Sequence, residues 1–168
     1  MITIPKGVKK LRGGQKYEKV FDESGKLHGL SVFIPFFPWP VTNFLLLKTM
    51  PQTEEMANAS AFCSTMEDEK TGQIGILIGV DYERLEGLIA KDPANGLAML
   101  ANIIAHECLH ATFKIIDMSG DDQRNPDDTS EKITYLLGTL VDLYTQMMYI
   151  LITNEDEHDK KSSNGKSS

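Results

Sequence analysis

The segment from Asp92 to Gly120 is the feature that most limits how this chain folds. Asp92 is a residue type that caps helices, Pro93 suits the first helical position and Gly120 suits a helix exit, so the segment predicts one long helix. Apolar residues keep approximately helical spacing along it: Leu97, Leu100, Ile104, Phe113 and Ile116. The pattern predicts a helix that is buried on much of its circumference.

Four runs of apolar, β-branched and aromatic residues predict the strands of a small sheet: residues 17–21, 30–36, 41–48 and 74–80. The first two are expected to form a hairpin, with Asp22, Ser24 and Gly25 at its turn. The last run is continuously apolar, which is typical of a strand buried on both faces. We expect these strands to form a mostly antiparallel sheet that packs against the long helix.

Two further helices are predicted outside the sheet. Acidic residues and good helix formers follow Thr53, a candidate N-cap, and predict a short helix over residues 53–66. A second long helix is predicted over residues 127–152, where Asp128 followed three residues later by Glu131 resembles a capping box. The expected fold is therefore α+β: a small, mostly antiparallel sheet on the first long helix, with the second long helix beside it.

Composition and charge predict one domain with polar ends. A chain of 168 residues with 41% hydrophobic and 24% charged residues is ordinary for a single globular domain. Residues 1–16 are expected to be a flexible basic arm, residues 17–153 the domain and residues 154–168 a disordered polar tail. The net charge is -7, and a short lysine-rich arm is usually solvated chain, so no nucleic-acid binding is predicted.

Three features bear on where the protein resides. Residues 30–47 carry no charge and nearly reach the length of a membrane span, but the prolines inside this run would break a helix, so no span is predicted. The first residues lack the apolar region and cleavage site of a signal peptide. Cys63 and Cys108 are too few for a disulfide framework, and reduced thiols fit a cytoplasmic protein.

The first long helix carries the motif H-E-x-x-H at His106, Glu107 and His110. Residues four apart differ by about 40° around a helix, so both imidazoles project from one face and can reach one metal ion. Glu107 lies about 100° from His106, where its carboxylate can act on a water bound to that ion. The pattern predicts two zinc ligands and a general base. The alternative is two histidines that are satisfied by neighbouring hydrogen bonds, beside an exposed Glu107.

A zinc hydrolase of this kind needs a third protein ligand, and Glu131 is the candidate. It follows His110 after twenty intervening residues, at the start of the second long helix. An antiparallel pair of helices could bring it opposite the histidines. The alternative is that Glu131 only caps its helix. Asp127, Asp128 and His158 are substitutes for this ligand.

The segments "AHECLHATFKIID" and "SEKITYLLGTLVDLY" together resemble the zincin metallopeptidases of the gluzincin kind. More closely, they resemble small bacteriophage-encoded proteins that pair an H-E-x-x-H helix with an E-x-x-x-Y-L-x-G-x-L segment. The resemblance covers mainly residues 104–144. It implies a zinc-dependent peptidase in which His106, His110 and Glu131 bind the metal and Glu107 is the base.

The resemblance has one departure, at Tyr135. Larger gluzincins often carry an aspartate at this position, four residues after the ligand glutamate. Tyr135 is a candidate to hydrogen-bond a ligand or stabilise an oxyanion, and the alternative is a core residue with a satisfied hydroxyl. Cys108 points away from the metal face and is given no catalytic role.

The implied substrate is a peptide or protein, and the implied location is the cytoplasm, or the host cytoplasm if the protein is phage-encoded. An exposed edge strand within residues 30–47 is expected to bind an extended peptide by strand addition. Other divalent ions also suit two imidazoles and a carboxylate, so the motif does not fix the metal.

Two other classes of protein remain open on the sequence alone. One is a zincin-fold protein that binds zinc for a structural or interaction role without turnover; zinc would raise its thermal stability. The other is a metal-free protein that offers a helical interface, whose melting temperature chelation would leave unchanged. The sequence does not fix the oligomeric state.

Overall fold

The described chain comprises residues 11, 16–34, 40–120 and 126–164 of a computed structural model, with side chains described outside residues 126–129 and 154–164. Its strands are β1 (Tyr17–Phe21), β2 (Leu27–Phe33), β3 (Val41–Leu47), β4 (Ala61–Glu67) and β5 (Ile74–Val80). Its α-helices are α1 (Tyr82–Lys91), α2 (Pro93–Ser119) and α3 (Pro126–Asn164). The predicted α+β class is confirmed.

The five strands form one mixed sheet in the order β1-β2-β3-β5-β4. Three of its four pairings are antiparallel, and β3 pairs with β5 in parallel. The prediction of a mostly antiparallel sheet is therefore confirmed. The parallel pairing arises because the chain leaves β3, builds β4 at the edge and returns as β5 between the two.

The predicted hairpin forms between β1 and β2. A carboxylate oxygen of Asp22 accepts hydrogen bonds from the backbone N–H of Ser24 at 2.9 Å and of Lys26 at 3.0 Å. Gly25 has a φ of 81°, a left-handed conformation that glycine adopts without steric cost. Because the turn is tight, β2 begins at Leu27, earlier than the predicted start at residue 30.

The predicted helix over residues 53–66 is wrong. The chain forms one 3-10 turn at Glu54–Met56, without a side-chain cap from Thr53, and then enters β4. Pairing with β5 lays two β4 side chains over buried glycines, so that a Cβ on Gly79 would meet the Phe62 ring and a Cβ on Gly75 would meet Met66. This long-range packing outweighs the local helix propensity of the segment.

The edge strands of the described sheet are β1 and β4, not a strand within residues 30–47. Strand β2 lies between β1 and β3, and β3 lies between β2 and β5. The prediction of a peptide-binding edge within residues 30–47 is therefore wrong for the strands described there. Residues 35–39 lie outside the described chain.

Helix α2 has the predicted ends. The Asp92 side chain accepts a hydrogen bond from the backbone N–H of Asn95 at 3.3 Å, and Gly120 takes the left-handed conformation at φ 66°. Its buried stripe includes Ile104, Cys108, Ala111 and Ile115. Leu97 is 52% exposed and Phe113 44% exposed, so the predicted burial of these two residues is wrong.

Phe113 is exposed because α2 is packed mainly from one side. Leu97 lies within about 20° of the buried Ile104 around the helix, but it is only one turn from the N-terminus of α2, before the buried stripe begins. Its neighbours are α1, α3 and β4. Helix α1, which has no counterpart among the sequence predictions, begins at an Asp81 cap that accepts from the backbone N–H of Arg84 at 3.2 Å. The opposite side of α2 therefore keeps apolar side chains at the surface.

Helix α3 covers the middle of the sheet. Its fully buried side chains are Leu136, Leu140, Tyr144, Met147, Met148 and Leu151. The Tyr144 hydroxyl donates a hydrogen bond to the backbone carbonyl of Ile76 at 3.2 Å, which ties the helix to β5. The ring of Tyr144 also packs edge-on against Phe44 of β3.

Helix α3 also has the length and composition of a membrane span. Within Ser130–Thr153, an 18-residue window has a mean hydropathy of 1.3, and 44% of that window is buried inside the protein. A core helix has the same signature, and the largest apolar side chains of α3 face the sheet. Residues 30–47, where described, form β2 and β3, as their prolines and β-branched residues indicate.

The two predicted flexible ends are partly described. Within residues 1–16, only Leu11 and Lys16 are described, and the Leu11 side chain belongs to the hydrophobic core. At the other end, α3 extends to Asn164 and so includes most of residues 154–168, for which a disordered tail is expected. Extending an existing helix needs no new nucleus, which is why polar residues can continue one.

Two helical glycines give a matched test of the α1 and α2 packing. A Cβ on Gly96 of α2 would lie 2.6 Å from the Ile89 Cα of α1, whereas a Cβ on Gly87 of α1 would meet nothing within 4 Å. We expect Gly96→Ala to lower the free energy of unfolding by about 1 to 3 kcal/mol through overpacking. Gly87→Ala should raise it by about 0.5 to 1 kcal/mol. Urea unfolding of both variants measures this, and equal effects would contradict the close contact.

Candidate metal centre

His106 and His110 lie on the exposed side of α2, one turn apart. Their Nε2 atoms are 3.1 Å apart and their ring planes are inclined by 78°. A zinc ion held tetrahedrally by both nitrogens, at about 2.0 to 2.1 Å from each, requires them to be about 3.3 Å apart. The pair is therefore spaced close to what one shared ion needs. Without metal, one ring nitrogen donates a hydrogen bond to the other.

Glu107 projects from another side of the helix, toward the start of β4. Its side chain is only 6% exposed, so the alternative of a solvent-exposed Glu107 is wrong. Burial raises the pKa of the Glu107 carboxyl, and the nearby His106 and His110 oppose this shift by favouring the charged form. The motif thus combines two accessible imidazoles with one desolvated carboxyl group.

A pocket of about 290 Å³ opens where α2 passes the start of β4. One wall consists of α2 side chains: Met99, Asn102, Ile103, His106 and Glu107. The other wall is the chain that enters the edge strand: Ala59, Ser60 and Ala61. One imidazole and the carboxyl group of the motif therefore share a pocket that is bordered by a sheet edge.

The pocket adds residues that the motif alone did not indicate. Asn102 had a signal in the sequence, because Asn102, His106 and His110 are spaced four apart and so follow one side of the helix. Ser60 had none, since it lies between elements and reaches the pocket through the pairing of β4 with β5.

Glu131 lies on the exposed side of α3. It is five residues before the buried Leu136, which is about 140° around the helix. Among the residues with described side chains, no three His, Cys, Asp or Glu side chains form a metal-binding group, so Glu131 is not brought together with His106 and His110. Its role as a ligand stays a prediction.

The substitutes for Glu131 have side chains outside the described part of the chain: Asp127, Asp128 and His158. Helix α3 begins at Pro126, which places Asp128 inside the helix and not at the predicted N-cap. Tyr135 is 67% exposed, so the alternative of a core tyrosine is wrong. Its proposed contact with a ligand or an oxyanion stays a prediction.

The two imidazoles fit a zinc ion as ligands. They are accessible, they lie on one face, and their nitrogens are 3.1 Å apart. Zinc commonly takes four ligands, so its other positions would be filled by water or by groups that do not lie beside the pair in the described part of the chain.

Comparisons with family models, with curated proteins and with solved structures give no match for this chain. The resemblance to zincins therefore depends only on the two sequence motifs within residues 104–144.

Neither cysteine lies on the histidine side of α2: Cys108 is in the buried stripe of the helix, and Cys63 is on β4. Burial raises the pKa of Cys63 on β4 to about 12, and the negative charge of Glu107 adds to this rise. Burial also raises the pKa of Cys108, which is completely enclosed by the core. Neither thiol carries the thiolate that metal binding or nucleophilic attack requires.

We expect both thiols to resist modification in the folded protein. Because the pKa of Cys63 is about 12, its thiolate fraction at pH 8 is more than a thousandfold lower than that of an ordinary thiol, whose pKa is about 8.5. Ellman's reagent should therefore react with both cysteines only after unfolding in guanidinium. Rapid labelling of either cysteine in the native state would contradict this burial.

Proposed function

We propose that this protein is a zinc-dependent peptidase whose site is built on the α2 motif. The observation that carries the proposal is the geometry of the motif, with two accessible imidazole nitrogens 3.1 Å apart and the Glu107 carboxyl group at the wall of the adjoining pocket. His106 and His110 would hold the ion. Glu131 remains our candidate for the third ligand.

A bound zinc ion would supply a Lewis acid and an acidified water. Glu107, at the wall of the pocket, would act as the general base that takes up a proton from the attacking water and as the acid that returns it to the leaving amine. The Glu107 side chain is only 6% exposed, which limits the access of bulk water to its carboxyl group.

Strand β4 supports a peptide as the substrate. It is an edge strand, and the chain that enters it forms one wall of the pocket. An extended peptide can pair with the unpaired backbone groups of an edge strand. A peptide bound there would place a side chain in the pocket and its backbone near Glu107.

A second candidate is a zinc-binding protein without turnover. The observation that favours it is the lack of a third ligand beside the histidines among the described side chains. Such a protein would gain thermal stability from zinc without hydrolysing peptides.

Zinc binding is expected to depend on the two motif histidines. His106→Ala and His110→Ala should each weaken zinc binding at least tenfold in isothermal titration, because each removes one nitrogen ligand. His28→Ala is the matched control, since His28 lies on β2 and contacts Thr49. Glu131→Gln tests the third ligand, and unchanged affinity would remove Glu131 from the site. If His106→Ala and His110→Ala bind zinc as tightly as the wild type does, the assignment of the two histidines as ligands is wrong.

Glu107→Gln is expected to separate metal binding from hydrolysis. The variant should keep zinc and lose hydrolysis of a quenched fluorescent peptide mixture by about 10²-fold or more, because the amide cannot accept the proton. Glu83→Gln, an exposed position on α1, is the control. Full activity in Glu107→Gln would exclude Glu107 as the base, and inactive zinc-loaded wild type would favour the second candidate.

A further inference from the structure

The histidine pair lies in the middle of an exposed apolar surface of α2. Leu109 is 39% exposed and Phe113 44% exposed, although both are large hydrophobic residues. Exposed apolar surface of this kind often marks an interaction site. We define the histidine face by the exposed residues Asn102, Ala105, His106, Leu109, His110 and Phe113.

The histidine face offers zinc half of a coordination shell. Two imidazoles can bind one ion, structural zinc sites use four protein ligands, and no third His, Cys, Asp or Glu joins the pair among the described side chains. A second copy of the same pair supplies two further imidazoles. Two such pairs, related by a two-fold axis through the ion, complete a tetrahedral site.

The rest of the face suits an antiparallel arrangement of two α2 helices. Phe113 lies seven residues after His106 and so within about 20° of it around the helix. Measured along the helix axis from the midpoint between His106 and His110, Phe113 lies about 7.5 Å toward the C-terminus. Ile103, which lines the pocket, lies about 7.5 Å toward the N-terminus. A two-fold axis that passes through the ion, perpendicular to the helices and level with the middle of the pair, therefore brings each Phe113 to the level of the other copy's pocket.

The pocket is suited to an aromatic ring. Met99, Ile103 and Ala61 provide apolar wall, and the volume is about 290 Å³. The contact is reciprocal, because each copy contributes one phenyl ring and one pocket. Self-complementarity of this type is what a two-fold interface requires.

We propose that two copies of this chain pair through their histidine faces, share one zinc ion between both His106 and His110 pairs, and each insert Phe113 into the other's pocket. The pairing rests on the zinc-binding half of the proposed function and does not depend on hydrolysis. In the pair, the ion has no open position and the pocket that contains Glu107 is filled. The pair is thus a closed state of the site, and the single copy is its open state.

Sedimentation velocity of the full chain tests the pairing directly. The protein is stripped with EDTA and then titrated with zinc sulfate. We expect the mass of one chain, 18.7 kDa, without zinc and twice that mass at half an equivalent of zinc. A single-chain mass at every zinc ratio, with one zinc per chain, would overturn the pairing and leave the proposed peptidase standing.

Variants separate the interface from the metal. Phe113→Ala should weaken zinc-dependent dimerisation roughly tenfold or more, since it removes a buried aromatic ring from each half of the interface. Leu97→Ala is the matched control, because Leu97 is exposed on α2 about 160° away from Phe113 and should leave dimerisation unchanged. A dimer that persists in EDTA or in His106→Ala would overturn the shared zinc. A zinc-linked dimer whose single-copy form never hydrolyses peptides would overturn only the peptidase.

Discussion

The burial of one stripe of α2 determines the arrangement of the site. Ile104, Cys108, Ala111 and Ile115 lie in the core, and a continuous helix cannot turn one residue without turning its neighbours. This stripe therefore fixes the direction of every side chain in the motif. The imidazoles of His106 and His110 face outward, while the carboxyl group of Glu107 is held inside, at the wall of the pocket. Access for the ligands and desolvation of the base have the same structural cause.

The elements that the sequence predicts well are those whose signals lie within a few residues. Asp92, Pro93 and Gly120 define both ends of α2, and Asp22 and Gly25 define the first turn. Strand β4 has no such signal. Its conformation depends on glycines of β5 that lie nine and seventeen residues after the β4 side chains they contact, so local propensity indicates a helix there.

The residues of the candidate site also fall into those that local spacing predicts and those that depend on long-range packing. The spacing of His106, Glu107 and His110 is enough to predict a shared face and a neighbouring carboxylate, because helix geometry alone relates them. The position of Glu131 depends on how α3 is rotated, and the buried stripe through Leu136 and Leu140 sets that rotation. The burial predicted for Phe113 fails for a related reason. A helix that is apolar nearly all round does not reveal which side its neighbours will cover.

The continuity of α2 has a consequence for how specificity could change. One unbroken helix of 27 residues carries a pocket wall, both histidines and Glu107, so these groups move as a rigid unit. In the facing wall, Ala59 and Ser60 belong to the irregular chain that leads into β4, and Ala61 is the first residue of that edge strand. Substitutions or length changes at residues 57–60 can reshape the pocket without disturbing the histidines. This short connection is therefore where an engineer, or natural divergence, could alter ligand preference while the chemistry stays constant.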